Sequence, residues 1–265
     1  MAKTTAKKTN LRILVTNDDG INAPGLAALT RIAKKISNDV WVAAPEEEQS
    51  GSAHSLSLAN PIRIRKVGPR KFGVKGTPSD CVLMAVRHVL KDKQPDLVLS
   101  GINRGQNVAD DVTYSGTIAA AMEGTQLGIP SIALSQAFGF GESRLVKWST
   151  AEHFAPGIIR KLIAAGWPKD VLINVNFPDV LPGSVKGVEV TSQGKRDQSL
   201  VTVEERIDAR ANPYYWLGFE RIPSNPPKGT DLRAIYDGFI SVSPLHMNLT
   251  HKQTRASLVA ALEKA

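Results

Sequence analysis

The chain has 265 residues, 42% of them apolar and 22% charged, with 21 Gly and 16 Pro, a balance that suits one large globular unit and excludes disordered, collagen-like and low-complexity classes. The formal net charge of +8 invites a nucleic-acid reading, but Lys3, Lys7, Lys8 and Arg12 supply half of it before any folded pattern begins, and no aromatics interleave with basic residues as a stacking platform requires, so no stable nucleic-acid partner is expected. The single cysteine, Cys81, excludes an internal disulfide and cysteine-rich metal sites. With no apolar run near the roughly 18 residues of a membrane span and no signal-peptide pattern before Asn17, a cytoplasmic location without a membrane partner is expected.

Residues 1–11 read as a basic tail, and 12–252 as a single α/β unit. A buried strand is predicted over Arg12 to Thr16, then a helix from Pro24 with apolar residues at Leu26, Leu29, Ile32, Ala33 and Ile36 and Asn22 as its cap. Val40 to Ala44 reads as a second strand. Ile62 to Lys66 and Lys71 to Val74, split by Gly68-Pro69, suggest a β-hairpin inserted at the sheet edge. A helix opening at Ser79 or Asp80 carries Val82, Val86, Val89 and Leu90, with Cys81 as a small buried hydrophobe. The strand Asp96 to Ser100 precedes an Ala-rich helix that begins near Ser115 or Thr117 and ends before Gly128-Ile129-Pro130; Ser131 to Ser135 is the next strand. A helix over Ser149 to Ala165, a strand over Val171 to Val175 and β-signals at Val188 to Thr191 and Phe239 to Val242 follow. Asn212 to Trp216 and Pro223 to Pro227 read as loops or arms, whose aromatics either pack on the parent domain or form an oligomerisation element. Residues 253–265 read as a C-terminal helix. Strand alternating with helix predicts a three-layer, doubly wound, mostly parallel sheet of the Rossmann-like class, with an inserted hairpin and C-terminal arms.

In such a sheet ligands bind outside the carboxyl ends of strands. The first end is Thr16-Asn17-Asp18-Asp19-Gly20. One Asp there would serve as a cap, but two adjacent carboxylates repel unless a cation neutralises them, and oxygen ligands select magnesium or manganese. The second end runs from Glu46 to Ser52, where Ser50 and Ser52 flank Gly51 and could face a metal or an anion; His54, without an evident partner, reads as structural. The third is Ser100-Gly101-Ile102-Asn103-Arg104-Gly105-Gln106-Asn107, with glycines for close backbone approach and two amides. Tyr114-Ser115-Gly116-Thr117 then opens the Ala-rich helix, and hydroxyls, free N–H groups and the positive dipole end there suit a phosphate. Neither a dinucleotide fingerprint, a P-loop nor a G-x-S-x-G elbow occurs. A carboxylate-bound hard metal beside a phosphate-binding helix end suits metal-assisted hydrolysis of a phosphate ester.

Ile13 to Ile21, Gly76 to Val82, Ser100 to Gly105 and Tyr114 to Thr117 closely resemble the SurE (survival protein) family of 5′-nucleotidases. Val190-Thr191 with Gln193-Gly194, Tyr214-Tyr215-Trp216, and Thr230-Asp231 through Leu245 are similar to later segments of that family, so the resemblance runs from about residue 12 to about 252. It implies hydrolysis of nucleoside 5′-monophosphates, with 3′-monophosphates and short polyphosphate as further candidates. One divalent ion per subunit, Mg2+ or Mn2+, would be held by Asp18, Asp19, Ser50 and Asn103, with Asp18, Asp19 and Asn103 as the catalytic set. Asn107, Ser115, Gly116 and Thr117 would hold the phosphate. The resemblance also implies a homodimer or homotetramer formed through the carboxyl-terminal half. Two departures stand out: the tail before Arg12 looks like an extension, and Asp208 to Asn212 lacks the Pro and Gly common there. The rival readings are an aspartyl-phosphate phosphatase, which would instead carry D-x-D with carboxylates two apart, and a nucleotide-sensing module without turnover.

Overall fold

The computed structural model describes residues 9–139, 145–196, 201–219 and 224–263. Lys3, Lys7 and Lys8 of the expected tail, Pro223, and the last two residues of the expected C-terminal helix lie outside them. Among the described residues nine strands form one sheet in the spatial order β3 (Arg63–Gly68), β4 (Lys71–Lys75), β2 (Ser37–Pro45), β1 (Thr9–Thr16), β5 (Leu97–Arg104), β6 (Ser131–Gln136), β7 (Val171–Phe177), β11 (Ile240–His246) and β8 (Val188–Val190). All neighbours pair in parallel except β3 with β4 and β11 with β7. The expected hairpin therefore stands at the sheet edge, joined to the body through β4 and β2.

Both faces of the sheet are covered, which explains why the central strands read as unbroken apolar runs. Ile13 and Val15 of β1 pack with helix α1 (Pro24–Ile36) and helix α4 (Trp148–Ala165), while Leu14 between them packs with the layer of α2 (Pro78–Met84) and α3 (Gly116–Gln126). Leu26, Leu29, Ile32 and Ile36 of α1 are all essentially inaccessible, and each such side chain contributes about 2 kcal/mol by leaving water.

Two local expectations are corrected and a third is narrowed. Helix α1 has Ala23, not Asn22, at its N-cap, with no side-chain cap; Pro24 at the first position lacks an N–H to satisfy, so the helix starts without one. Helix α2 begins at Pro78, one residue before Ser79 and two before Asp80, because Thr77 and Asp80 form a reciprocal capping box, Asp80 N–H donating to Thr77 Oγ1 (3.1 Å) and Thr77 N–H to Asp80 Oδ2 (2.8 Å). It continues as a wider turn over Ala85–Val89. Of the loop and arm readings for Asn212 to Trp216 the arm holds from Pro213 on: β9 (Val201–Ile207) and β10 (Pro213–Phe219) pair antiparallel in a separate two-stranded ribbon. Ser224 to Pro227 is irregular, as expected. The chain's last described helix, α6, spans Lys252–Leu262.

Candidate active site

The site lies where β1 and β5, paired through Thr16 and Ser100, reach their carboxyl ends. Asp18 and Asp19 follow β1 directly, and their environments differ. Asp18 is only 4% exposed. Burial, with the neighbouring Asp19 charge, pushes its carboxyl up to about 6 from an ordinary 3.8, against hydrogen bonds from Thr117 that favour the ionised form. The Thr117 hydroxyl donates to Asp18 Oδ1. Asp19 is also raised, by burial first and by the nearby Glu48, and is drawn down by the Arg104 N–H, which donates to Asp19 Oδ2 at 3.2 Å, and by the Arg104 charge.

The turn after β2 is stitched to this pair, since Gln49 N–H donates to the Asp18 carbonyl (2.8 Å) and Ile21 N–H to that of Pro45 (2.7 Å). Ser50 is exposed at its rim, its hydroxyl donating to Glu48 Oε1 at 2.8 Å. His54 does have a partner, contrary to the sequence expectation: Nε2 lies 3.0 Å from Oε2 of the buried Glu123 on α3.

Asn103 reaches the site through a bulge. Along β5 the register steps from Ser100 to Asn103 while β6 steps only from Ala133 to Ser135, so one extra residue on β5 re-aims Asn103. Gly101 enables this: its φ is +127°, and a Cβ there would lie 2.2 Å from the Leu134 carbonyl oxygen. Asn103 Nδ2 donates to Gly105 O at 3.0 Å.

Asn107 is buried and clamped by β7. Its N–H donates to Asn176 Oδ1 (2.8 Å), its carbonyl accepts from Asn174 Nδ2 (2.8 Å) and Asn176 Nδ2 (3.1 Å), and its own Nδ2 donates to Ser135 Oγ (2.9 Å). Beyond it, Asp231 accepts N–H bonds from Ala109, Gly194 and Leu232. Ser115 is the N-cap of α3, its Oγ accepting from Ile118 N–H at 3.1 Å. Gly116 sits against Asp18: a Cβ there would be 2.8 Å from Asp18 Cβ. The first N–H groups of α3, with the positive end of its dipole, thus converge beside the two carboxylates.

The eight expected residues therefore gather at one end of the sheet, with Thr117 committed to Asp18. Among the described residues no group of three or more His, Cys, Asp or Glu could hold a metal. The available set is two carboxylates with neutral hydroxyl and amide oxygens, a donor chemistry that fits a hard divalent ion. Buried oxygens without a protein hydrogen bond, Thr16 Oγ1, Asn17 Oδ1 and Ser100 Oγ, lie at the same strand ends. Sequence reasoning missed Asn174 and Asn176; two amides in an otherwise apolar central strand were the available signal.

The family described as Survival protein SurE matches residues 13–200. The chain belongs to the SurE family. It is 78% identical over 262 residues to the 5′-nucleotidase SurE of Parvibaculum lavamentivorans, covering 99% of this chain and 94% of that one. It is 57% identical over 253 residues to the 5′-nucleotidase SurE of Caulobacter sp., with 95% and 94% covered. The crystal structure of the SurE protein from Aquifex aeolicus superimposes with a TM-score of 0.81 at 39% identity, covering 94% of this chain and 99% of that one. The SurE match contains all eight expected site residues and ends just before β9.

Proposed function

We propose that this chain is a divalent-metal-dependent 5′-nucleotidase that hydrolyses nucleoside 5′-monophosphates to nucleoside and phosphate. The observation that carries this reading is the adjacent pair of carboxylates, Asp18 buried and Asp19 half-buried, beside the N-terminus of α3, in a chain that shares 78% identity with a relative named 5′-nucleotidase SurE. Asp18, Asp19, Ser50 and Asn103 would hold one Mg2+ or Mn2+ ion per subunit. Such an ion, when bound, offsets phosphoryl charge and makes a coordinated water more acidic. Thr117 orients Asp18 through its hydroxyl and favours the ionised form against the burial that raises its pKa. Ser115, Gly116 and Asn107 face the phosphoryl oxygens, with the α3 dipole favouring their negative charge. The β7 amides hold the Asn107 backbone still, so little reorganisation accompanies the reaction.

Residues 12–252 act as one unit in this reading, with 253–265 appended. The exposed Val203, Ile207, Tyr214, Tyr215, Trp216 and Leu217 of the ribbon support assembly as a homodimer or homotetramer through the arms. No described helix is long and apolar enough to cross a membrane, and a lone buried thiol at Cys81 agrees with the reducing cytoplasm. The test is phosphate release from a panel of nucleoside 5′- and 3′-monophosphates and short polyphosphate, with EDTA, Mg2+ or Mn2+. Release that EDTA abolishes and one metal restores is expected; folded protein that binds nucleotides without releasing phosphate would overturn the reading in favour of a sensing module.

A further inference from the structure

We infer that Arg104 is a substrate-binding residue whose guanidinium grips the phosphoryl group. The inference rests on the nucleotidase reading and begins with charge. Asp18 and Asp19 stand together, and Glu48 is near enough for its charge to act on Asp19. A divalent ion balances two of these three carboxylates, and a phosphate monoester brings close to two further negative charges at neutral pH. A site of this sign repels its substrate unless another cation lies within a few ångströms.

Arg104 supplies that cation by construction. It is the residue after Asn103 in the bulged end of β5, and its own backbone N–H is bonded to Asp19 Oδ2 at 3.2 Å, so its Cα is tied to the carboxylate pair. Its charge reaches Asp19. The side chain is exposed, and its Cζ lies 5.1 Å from the centroid of the Phe138 ring on the loop after β6. That ring is itself placed beside the site, with its Cε1 3.7 Å from where a Cβ on Gly105 would stand. Among the described residues the guanidinium makes no ion pair with the carboxylates. A guanidinium held over an aromatic ring spends none of its N–H donors on an acceptor there, so two remain for parallel bonds to phosphoryl oxygens. Phe138 thus parks the cation without neutralising it.

The test compares the metal-loaded wild type with Arg104→Ala and Arg104→Lys, using a nucleoside 5′-monophosphate, p-nitrophenyl phosphate and inorganic phosphate, the last by calorimetry. Loss of a charge-assisted, bidentate contact lowers kcat/KM by about tenfold to a hundredfold in Arg104→Ala. The fall is expected on both esters, with inorganic phosphate weakened by a similar factor and Arg104→Lys intermediate. Melting temperature and its response to metal should match the wild type. Values within twofold of wild type overturn the inference, as does a loss confined to the nucleotide, which would place Arg104 on the nucleoside instead. Weakened metal binding would overturn it too, because Arg104 would then act through Asp19. If the wild type bound phosphate but cleaved neither ester, the nucleotidase reading would fall and the phosphate affinities alone would decide the role of Arg104.

Discussion

Asp18, at the end of β1, is a charged group sunk among the strands and held by Thr117, whereas Trp216 in β10 is an apolar group left 57% exposed on a ribbon in which β10, among the described residues, pairs with β9 alone. At the first place the chain takes a costly group out of water and meets its needs with Thr117 of α3, while the turn after β2 bonds its backbone carbonyl. At the second it leaves Val203, Tyr215, Trp216 and Leu217 in water with no cover from the described remainder of the chain. One region is completed by its own sequence. The other is shaped for something outside the single chain.

The largest expected effect tests the self-contained region. Asp19→Ala removes one of two carboxylates and should lower phosphate release by about a thousandfold or more, with the far-ultraviolet circular dichroism and melting curve close to wild type. Substantial retained turnover would remove Asp19 from the metal set.

The second prediction concerns what burying Asp18 costs. Its folded pKa of about 6 stands above the ordinary 3.8, so the native state holds the proton more tightly than the unfolded chain between these values. The associated stability is present below pH 3.8 and lost as pH rises to about 6, an effect of about 3 kcal/mol. Metal-free protein should therefore gain far more in melting temperature from Mn2+ or Mg2+ at pH 7.5 than at pH 5. An equal gain at both would mean that the ion does not bind at Asp18.

These features were unequally legible in the sequence. The central strands and α1 and α4 could be read because a strand covered on both faces is an apolar run and a helix covered on one face is a stripe, so local pattern follows from burial. The carboxylates and the helix end were visible for the same reason, as polar residues terminating such runs. The strands of the ribbon were not legible, although an arm was expected there, because every described side chain of β9 is exposed, which erases the alternation that marks a half-buried strand. The bulge at Gly101 depends on register against β6, and the partner of Asp18 lies 99 residues away at Thr117; neither relation has a local trace. His54 similarly looked alone because Glu123 sits on another element.

Thr117→Val gives a smaller effect than loss of a carboxylate. It keeps the shape and deletes the hydroxyl that lowers the Asp18 pKa. Activity should fall by about tenfold, as loss of a hydrogen bond to a charged group implies, and the acid limb of the pH–rate profile should move to higher pH. An unshifted limb would show that Thr117 does not set the ionisation of Asp18.

The smallest effect on chemistry is expected at the ribbon. Trp216→Ala with Leu217→Ala should leave the stability of each chain within about 0.5 kcal/mol, as for exposed sites in general. Light scattering should show a smaller assembly, with turnover within about twofold. A collapse of activity in a well-folded variant would erase the contrast between the two regions, since the ribbon would then belong to the site.

Cys81 has a use that has nothing to do with catalysis. It is the chain's single thiol, wholly buried in α2 and held well above its usual pKa by that burial. A thiolate-seeking reagent can reach it only when α2 and its surroundings open. The native chain therefore carries its own clock: the growth of one mass adduct per molecule times the opening of the core, with no label engineered and no second cysteine to confuse the reading.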